Sequence, residues 1–314
     1  MKPAVSVIVP AYNAAVTIAE TLESVLSQSF ADIEVIVVDD GSTDKTKEIV
    51  ARHQGRDCRL RYVRQPNAGV SQARNTGLEQ AAAERVTCMD ADDLWHREKL
   101  TKQLAAMGPS EDAVVLTGIR RFETVDGQKV FGSITLPPRS RGDRYDEATV
   151  LQLNSFQMVL INTALMPRRL AVKIGGWRRG MWTAEDWDFW IRAARQCKFR
   201  IIEEPLVFYR KHRRSATAQQ DLLAVLNQQE QIIRDQLAAA HISKALARDA
   251  IIARRLEICS FFLYQRDLRR AAQVLARSLA FSRAWGRRAV WERAAEVLRL
   301  AFSTLLSGSH QGPG

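Results

Sequence analysis

Long apolar runs are missing from this sequence. No stretch reaches the roughly 18 to 20 consecutive apolar residues of a membrane-spanning helix, because charged residues interrupt every hydrophobic segment. A chain threaded through a bilayer by apolar helices is therefore not expected. Cysteine is also scarce: Cys58, Cys88, Cys197 and Cys259 stand far apart and form no Cys-x-x-Cys pair. That spacing disfavours a zinc site and points to buried, reduced thiols rather than disulfides. The apolar start Val5 to Val9 follows a single Lys and runs straight into Pro10, too short for the core of a signal peptide. The cytosol is the expected compartment. Acid is the minority charge, with 35 Asp and Glu against 46 Lys and Arg, a formal charge of +11. That excess admits nucleic acid, an anionic membrane face or a phosphorylated small substrate as partner, and does not choose among them. With 46% hydrophobic and 26% charged residues in 314, the chain has enough apolar material for one large domain or two ordinary ones.

The first hundred residues alternate between short β-branched runs and amphipathic stretches, the pattern of a parallel sheet with crossover helices. Strands are expected at Val5 to Val9, Ile33 to Val38, Leu60 to Val63, Arg85 to Met89 and Ala113 to Thr117. In the first crossover, Val16, Leu22, Val25 and Leu26 recur at near-helical spacing. The second crossover opens on Ser42-Thr43-Asp44, side chains suited to capping backbone amides. From Gly118 to about Tyr145 the pattern breaks into Gly, Pro and Arg and reads as a mobile loop. An apolar segment around Phe156 to Met166, a turn at Gly175-Gly176, a helix over Trp187 to Arg195 and a strand near Phe199 to Phe208 complete the α/β part. After the basic run Arg210-Lys211-His212-Arg213-Arg214 the composition turns to Ala, Leu, Gln and Arg, with hardly any Gly or Pro before Gly286. Helices are expected there at Asp221 to His241, Ser243 to Tyr264, Leu268 to Ser282 and Arg287 to Leu306. The organisation read from this is a domain over residues 1–212 and a basic α-helical region over 213–314.

Two strand ends carry the chemistry. The run Ile33 to Val38, apolar but for Glu34, ends in Asp39-Asp40-Gly41-Ser42, and Arg85 to Met89 leads into Asp90-Ala91-Asp92-Asp93. In open parallel sheets, ligands bind where loops converge at the carboxyl ends of the strands. Three carboxylates at one such end repel one another unless a divalent cation sits among them, and hard oxygen ligands suit Mg2+ or Mn2+ shared with substrate phosphates. Between the two corners, Pro66-Asn67-Ala68-Gly69 turns into a helix starting near Val70. Gly69 permits close backbone approach, the helix amino terminus favours an anion, and Arg74 one turn inside is in reach of a phosphate.

In order and spacing, Pro10-Ala11-Tyr12-Asn13, Val37-Val38-Asp39-Asp40-Gly41-Ser42, Asn67-Ala68-Gly69 with Ala73-Arg74-Asn75, and Asp90-Ala91-Asp92-Asp93 resemble the family 2 glycosyltransferases. The likeness runs over residues 4 to 212, with Glu185-Asp186-Trp187-Asp188 and Tyr209-Arg210-Lys211-His212 as its downstream members. It implies a glycosyltransferase-A fold, a Rossmann-like α/β sheet flanked by helices, here followed by an all-α region. It also implies a nucleotide-diphosphate sugar donor, a divalent metal (Mn2+ or Mg2+) and transfer with inversion at the anomeric carbon. By the same resemblance, Pro10, Ala11 and Tyr12 wall the nucleobase, Asp39 hydrogen-bonds it, and Asp40 supports that corner. Gly69 and Arg74 lie near the nucleotide, and Asp90 and Ala91 near ribose or donor sugar. Asp92 is the metal ligand, with His212 able to approach the metal or diphosphate. Asp186 matches the catalytic base, with Glu185 as runner-up.

Four of the seven Trp, namely Trp177, Trp182, Trp187 and Trp190, crowd into this region. Trp187 and Trp190, three apart on a helix, are expected to pack, whereas Trp177 and Trp182 in the preceding loop are candidates to stack on an acceptor sugar. The Gln-x-x-Arg-Trp string of membrane-embedded processive synthases is missing, since the nearest match, Gln231-Ile232-Ile233-Arg234-Asp235, lacks the Trp. The expected activity is a single transfer, from a UDP-sugar as first guess, to a hydroxyl of a saccharide or lipid-linked acceptor in polysaccharide or cell-envelope synthesis. Between Arg254 and Arg299 the tail carries eleven Arg against four acids, and it holds Trp285 and Trp291. It suits a helical hairpin or peripheral attachment to an anionic membrane. A nucleic-acid-binding or scaffolding protein with a vestigial sugar-nucleotide site is the alternative, although no reading motif for specific nucleic acid is present.

Overall fold

The computed structural model describes residues 2–108, 113–137, 150, 160–181, 183–212 and 221–283. The chain divides into two units, residues 1–150 with 155–215, and residues 151–154 with 216–314.

In the first unit, β1 (Val5–Ala11) and β2 (Ile33–Asp39) are buried along their whole length, as runs dominated by Val and Ile require when helices cover both sheet faces. They run parallel to each other, to β3 (Leu60–Arg64) beside β2 and to β4 (Arg85–Cys88) beside β1. The crossovers are α1 (Ile18–Leu26), α2 (Thr46–Gln54) and α3 (Val70–Gln80). Helix α1 buries Ile18, Leu22 and Val25, but Val16, expected on that face, precedes the helix and is 85% exposed. Asp44 accepts from the Thr46 amide at 2.9 Å and so caps α2.

The sheet continues through β5 (Leu94–Trp95), β6 (Ala113–Val125), β7 (Gln128–Thr135), β8 (Ala164–Pro167) and β9 (Lys198–Arg210), interspersed with α4 (Lys99–Met107), α5 (Arg168–Lys173) and α6 (Glu185–Ala194). Its order is β3-β2-β1-β4-β8-β6-β9-β5, with β7 on β6. The pairing is mixed: β8 is antiparallel to β4 and β6, whereas β6 and β9 are parallel. The loop expected from Gly118 is instead half of an antiparallel hairpin, β6 with β7. Strand β7 is exposed on nearly every residue, so neither face imposes the alternation that would reveal a strand. The expected loop beyond Pro137, and the expected helix Arg287 to Leu306, lie outside the described residues.

The second unit contains α7 (Leu222–Ala238), α8 (Lys244–Tyr264) and α9 (Leu268–Arg283). Asp221 and Ser243 cap α7 and α8 by accepting amide hydrogen bonds, as their side chains suit them to do. Leu226, Ile258, Cys259, Phe262, Ala271 and Val274 form the unit's apolar core. Among the described residues, no helix is long and apolar enough to cross a membrane. All four cysteines are free thiols; Cys88 and Cys259 are buried, but Cys58 is exposed, so burial does not extend to all four.

Candidate active site

Parallel pairing brings the carboxyl ends of β1, β2 and β4 to one edge. Ala11 is in register with Asp39, and Asp39 with Arg64. At this corner Pro10 and Ala11 are buried while the Tyr12 ring stands 55% exposed, a free aromatic face beside a buried wall. Asp39 is wholly buried. It accepts from the Ser42 amide at 2.7 Å and from the Tyr62 hydroxyl. Its carboxylate therefore stiffens the floor of the corner, and the group turned to solvent is Tyr12. Asp40 accepts from the Ala68 and Gly69 amides at 2.9 and 2.8 Å and from Gln65 at 2.7 Å. Those bonds fix the turn that opens α3. Gly69 itself has φ +87°, with nothing within 4 Å of where a Cβ would stand, so the turn presents open backbone.

Arg74 extends from α3 into the neighbouring acids rather than toward solvent. It is 3% exposed. Its guanidinium donates to Asp186 at 2.8 Å, to Glu185 at 3.0 Å and to Asp90 at 3.1 Å. Asp90 comes from the end of β4, and Glu185 and Asp186 from the first turn of α6. Three carboxylates from two distant segments thus meet on one cation. The other Asp186 oxygen accepts from the Ile161 amide at 3.1 Å. Burial pushes the Asp186 carboxyl up to about 7 against the opposing pull of Arg74, with Glu185 and Asp90 adding to the rise. A carboxylate in that range is half-ionised near neutral pH and suited to accept a proton. Burial likewise raises Asp90.

The Asp90 to Asp93 loop is held from several sides. Thr17 and Thr21 on α1 donate to the Ala91 carbonyl at 2.9 and 3.0 Å, and Thr21 also to that of Asp93. Asp93 is 1% exposed. It accepts from the Arg210 amide at 2.8 Å and from the Asn162 side chain, while burial and its acidic neighbours raise its carboxyl well above the ordinary range. The Arg210 side chain donates to the Asp92 carbonyl at 2.7 Å and pairs with Glu20. These bonds anchor the end of β9 beside the loop, so that His212 Nε2 comes to lie 2.9 Å from Asp92 Oδ2. Asp92 and His212 are each about one third exposed. No group of three or more His, Cys, Asp and Glu side chains converges on a metal position among the described residues. Two adjacent donors, one hard oxygen and one imidazole, nevertheless fit a divalent cation that takes its remaining ligands from substrate phosphates and water.

The acceptor-side expectations fare differently. Trp177 is 1% exposed and stacked on Phe189 with ring centroids 4.6 Å apart, so it is a core residue and offers no face to a sugar. Trp187 and Trp190 are buried as expected. Trp182 lies outside the described residues. Sequence reasoning missed Thr17, Thr21 and Asn162 altogether. Arg210 and Asn75 stood inside recognised strings, but nothing in those strings named their partners.

Comparison with known proteins meets this geometry from outside. Residues 6–167, just over half of the chain, match the Glycosyl transferase family 2 profile. A Bacillus subtilis glycosyltransferase, TuaG, named for teichuronic acid biosynthesis, is 44% identical over 118 residues, covering 37% of this chain and 47% of that protein. A Haemophilus influenzae glycosyltransferase is 37% identical over 161 residues, covering 51% of this chain and 61% of its own length. The chain thus spans about half to three fifths of these two relatives. Among solved structures, Staphylococcus aureus TarS 1-349 in complex with UDP-GlcNAc aligns with TM-score 0.67 at 21% identity, over 98% of this chain and 93% of that one. A mannosyltransferase from Pyrobaculum calidifontis in complex with GDP-Man and Mn2+ aligns with TM-score 0.56 at 20% identity, over 98% and 88%. At such identities these structures establish the fold, the glycosyltransferase-A arrangement.

Proposed function

Because the chain belongs to glycosyl transferase family 2, we propose that it transfers a sugar from a nucleotide-diphosphate sugar to an acceptor hydroxyl with inversion, using Asp186 as base. The observation that carries this reading is the meeting of Asp90, Glu185 and Asp186 on Arg74 at the carboxyl end of β4. Asp186 takes the proton of the acceptor hydroxyl as that oxygen forms its bond to the anomeric carbon. The bond from that carbon to the diphosphate breaks on the opposite face, and the nucleoside diphosphate leaves with the electron pair. Tyr12 offers its exposed ring to the nucleobase, over a floor that Asp39 and Asp40 stiffen. Asp92 and His212 would hold the divalent cation, which when bound supplies positive charge for the departing diphosphate. Glu185 shares the Arg74 guanidinium with the base and is the second acid proposed to contact the acceptor.

UDP-sugars are the first donors to try, since TarS binds UDP-GlcNAc, with GDP-sugars next, since the Pyrobaculum enzyme binds GDP-Man. The acceptor is read as a saccharide or lipid-linked hydroxyl. The helical unit is proposed to meet an anionic membrane surface: Tyr264 and Leu268, 45% and 62% exposed, flank the turn between α8 and α9 together with exposed Arg266, Arg269 and Arg270. Apolar side chains ringed by Arg combine shallow insertion with attraction to acidic lipid.

The test of the site is Mn2+-dependent turnover of UDP-GlcNAc and GDP-Man by wild type and Asp92→Ala. Turnover in the wild type, lost in Asp92→Ala, is expected. Metal-dependent turnover that survives the substitution would contradict the site.

A further inference from the structure

We infer that Arg74 is a positioning residue that holds the Asp186 carboxylate in place and in its ionised form, and is not a ligand of the donor phosphates. The inference rests on the reading of Asp186 as base. A guanidinium offers five N–H donors in a rigid fork. In Arg74 one terminal nitrogen reaches Asp186 at 2.8 Å and Glu185 at 3.0 Å, and the other reaches Asp90 at 3.1 Å. At 3% exposure, both terminal nitrogens face carboxylates rather than the open cleft, and Nε is buried as well.

The neighbouring residue extends the same function. Asn75 donates to the Trp177 carbonyl at 2.7 Å and accepts from the Trp177 amide at 2.8 Å. It fits against Gly176, where φ is +65° and a Cβ would come within 2.3 Å of the Asn75 oxygen. Two successive residues of α3 therefore fix both ends of the stretch that runs from Trp177 to Asp186. Helix α3 in turn begins at the turn held by Asp40, so one rigid helix links the nucleotide corner to the base.

The charges facing Asp186 explain why a cation is needed there. Glu185 and Asp90 both favour its protonated form, as burial does, and Arg74 opposes them. Without that cation, burial and the two neighbouring acids would keep the Asp186 carboxyl protonated at neutral pH, which would leave no base. Arg suits the position better than Lys because its planar fork spans acids from two segments, whereas an ammonium is a single point of charge.

The experiment follows Mn2+-dependent UDP-GlcNAc turnover against pH, together with calorimetric binding of UDP with Mn2+, in wild type, Arg74→Gln, Arg74→Lys and Asp186→Asn. In Arg74→Gln the acid limb of the rate should move alkaline by about one to three pH units, with UDP binding unchanged. Arg74→Lys should move it less, also with UDP binding unchanged, and it decides the matter should Arg74→Gln not fold. A limb that stays in place in the folded Arg74 variants, or UDP affinity that falls in step with turnover, overturns the inference. Turnover that persists in Asp186→Asn would instead defeat the reading of Asp186 as base, whatever the Arg74 variants do.

Discussion

Arg74 in the α/β unit and Arg255 in the helical unit are both buried and both bound to acids, yet Asp186 beside the first and Glu230 beside the second are shifted in opposite directions. Arg255 pairs two-pronged with Glu230 at 2.6 and 2.8 Å. Burial would raise the Glu230 carboxyl, but hydrogen bonds and charge from Arg255, helped by Arg277 and Arg234, more than reverse it, and the carboxyl is held below its ordinary value. Around Arg74 the acids outnumber the cation three to one, and Asp186 ends near 7. An acid met by a surplus of cations joins helices as a settled anion, whereas a surplus of buried acid leaves a proton acceptor poised near neutrality. Such a surplus costs stability, and it accordingly stands where chemistry is to be done.

The sharpest way to break this contrast is to neutralise one acid in each unit. Glu230→Gln leaves Arg255 without its anionic partner and should destabilise the helical unit by about 3–5 kcal/mol. Because the native Glu230 carboxyl is depressed, its contribution is present above the unfolded value of about 4.3 and is lost as pH falls through the folded one. Thermal melts of Glu230→Gln against wild type at pH 7 check the loss, and an unchanged melting temperature would contradict the reading of Glu230 as a structural anion.

Asp186→Asn should act with the opposite sign. A raised carboxyl stabilises the fold below the unfolded value of about 3.9 and surrenders that stability as pH rises through about 7. The substitution should therefore raise the melting temperature at pH 8, raise it less at pH 5, and have little effect below about pH 4. A variant less stable than wild type at pH 8 would show that Asp186 is a structural anion of the Glu230 kind.

The smallest effect concerns surfaces. The helical unit presents Tyr264 and Leu268 among exposed arginines, so the full chain should co-sediment with phosphatidylglycerol vesicles more than with phosphatidylcholine vesicles. Leu268→Asp should weaken that binding by a few fold, about 1 kcal/mol for a shallowly inserted side chain. Equal recovery on both vesicles would remove the membrane contact.

Much of this was legible in the sequence where burial on two faces leaves its mark. The runs ahead of Asp39 and Asp90 are rich in β-branched and apolar residues, broken only by Glu34, Arg85 and Thr87, and become β2 and β4, so the acids at their ends could be placed at one sheet edge from the sequence. The capping side chains Asp221 and Ser243 likewise marked helix starts. The hairpin of β6 and β7 was not legible, because β7 is exposed on nearly every residue and its pairing comes from backbone bonds that do not select side chains. Nor could the partners of Arg74 be read, since Glu185 and Asp186 lie 111 and 112 residues away. A charged residue at a helix start looks the same whether it faces a phosphate or a carboxylate. Trp177 misled for a related reason: between two elements a Trp can be a platform or a plug, and only Phe189 stacked on its ring decides.

The most direct measurement is the pH dependence of Mn2+-dependent UDP-GlcNAc turnover in wild type and Asp186→Asn. A buried carboxylate poised by surplus acid predicts a wild-type acid limb centred at about 7 and a rate reduced by about 10²- to 10⁴-fold in the variant. A wild-type rate that is flat from about pH 5 to 8, where an ordinary carboxylate is already ionised, would contradict it.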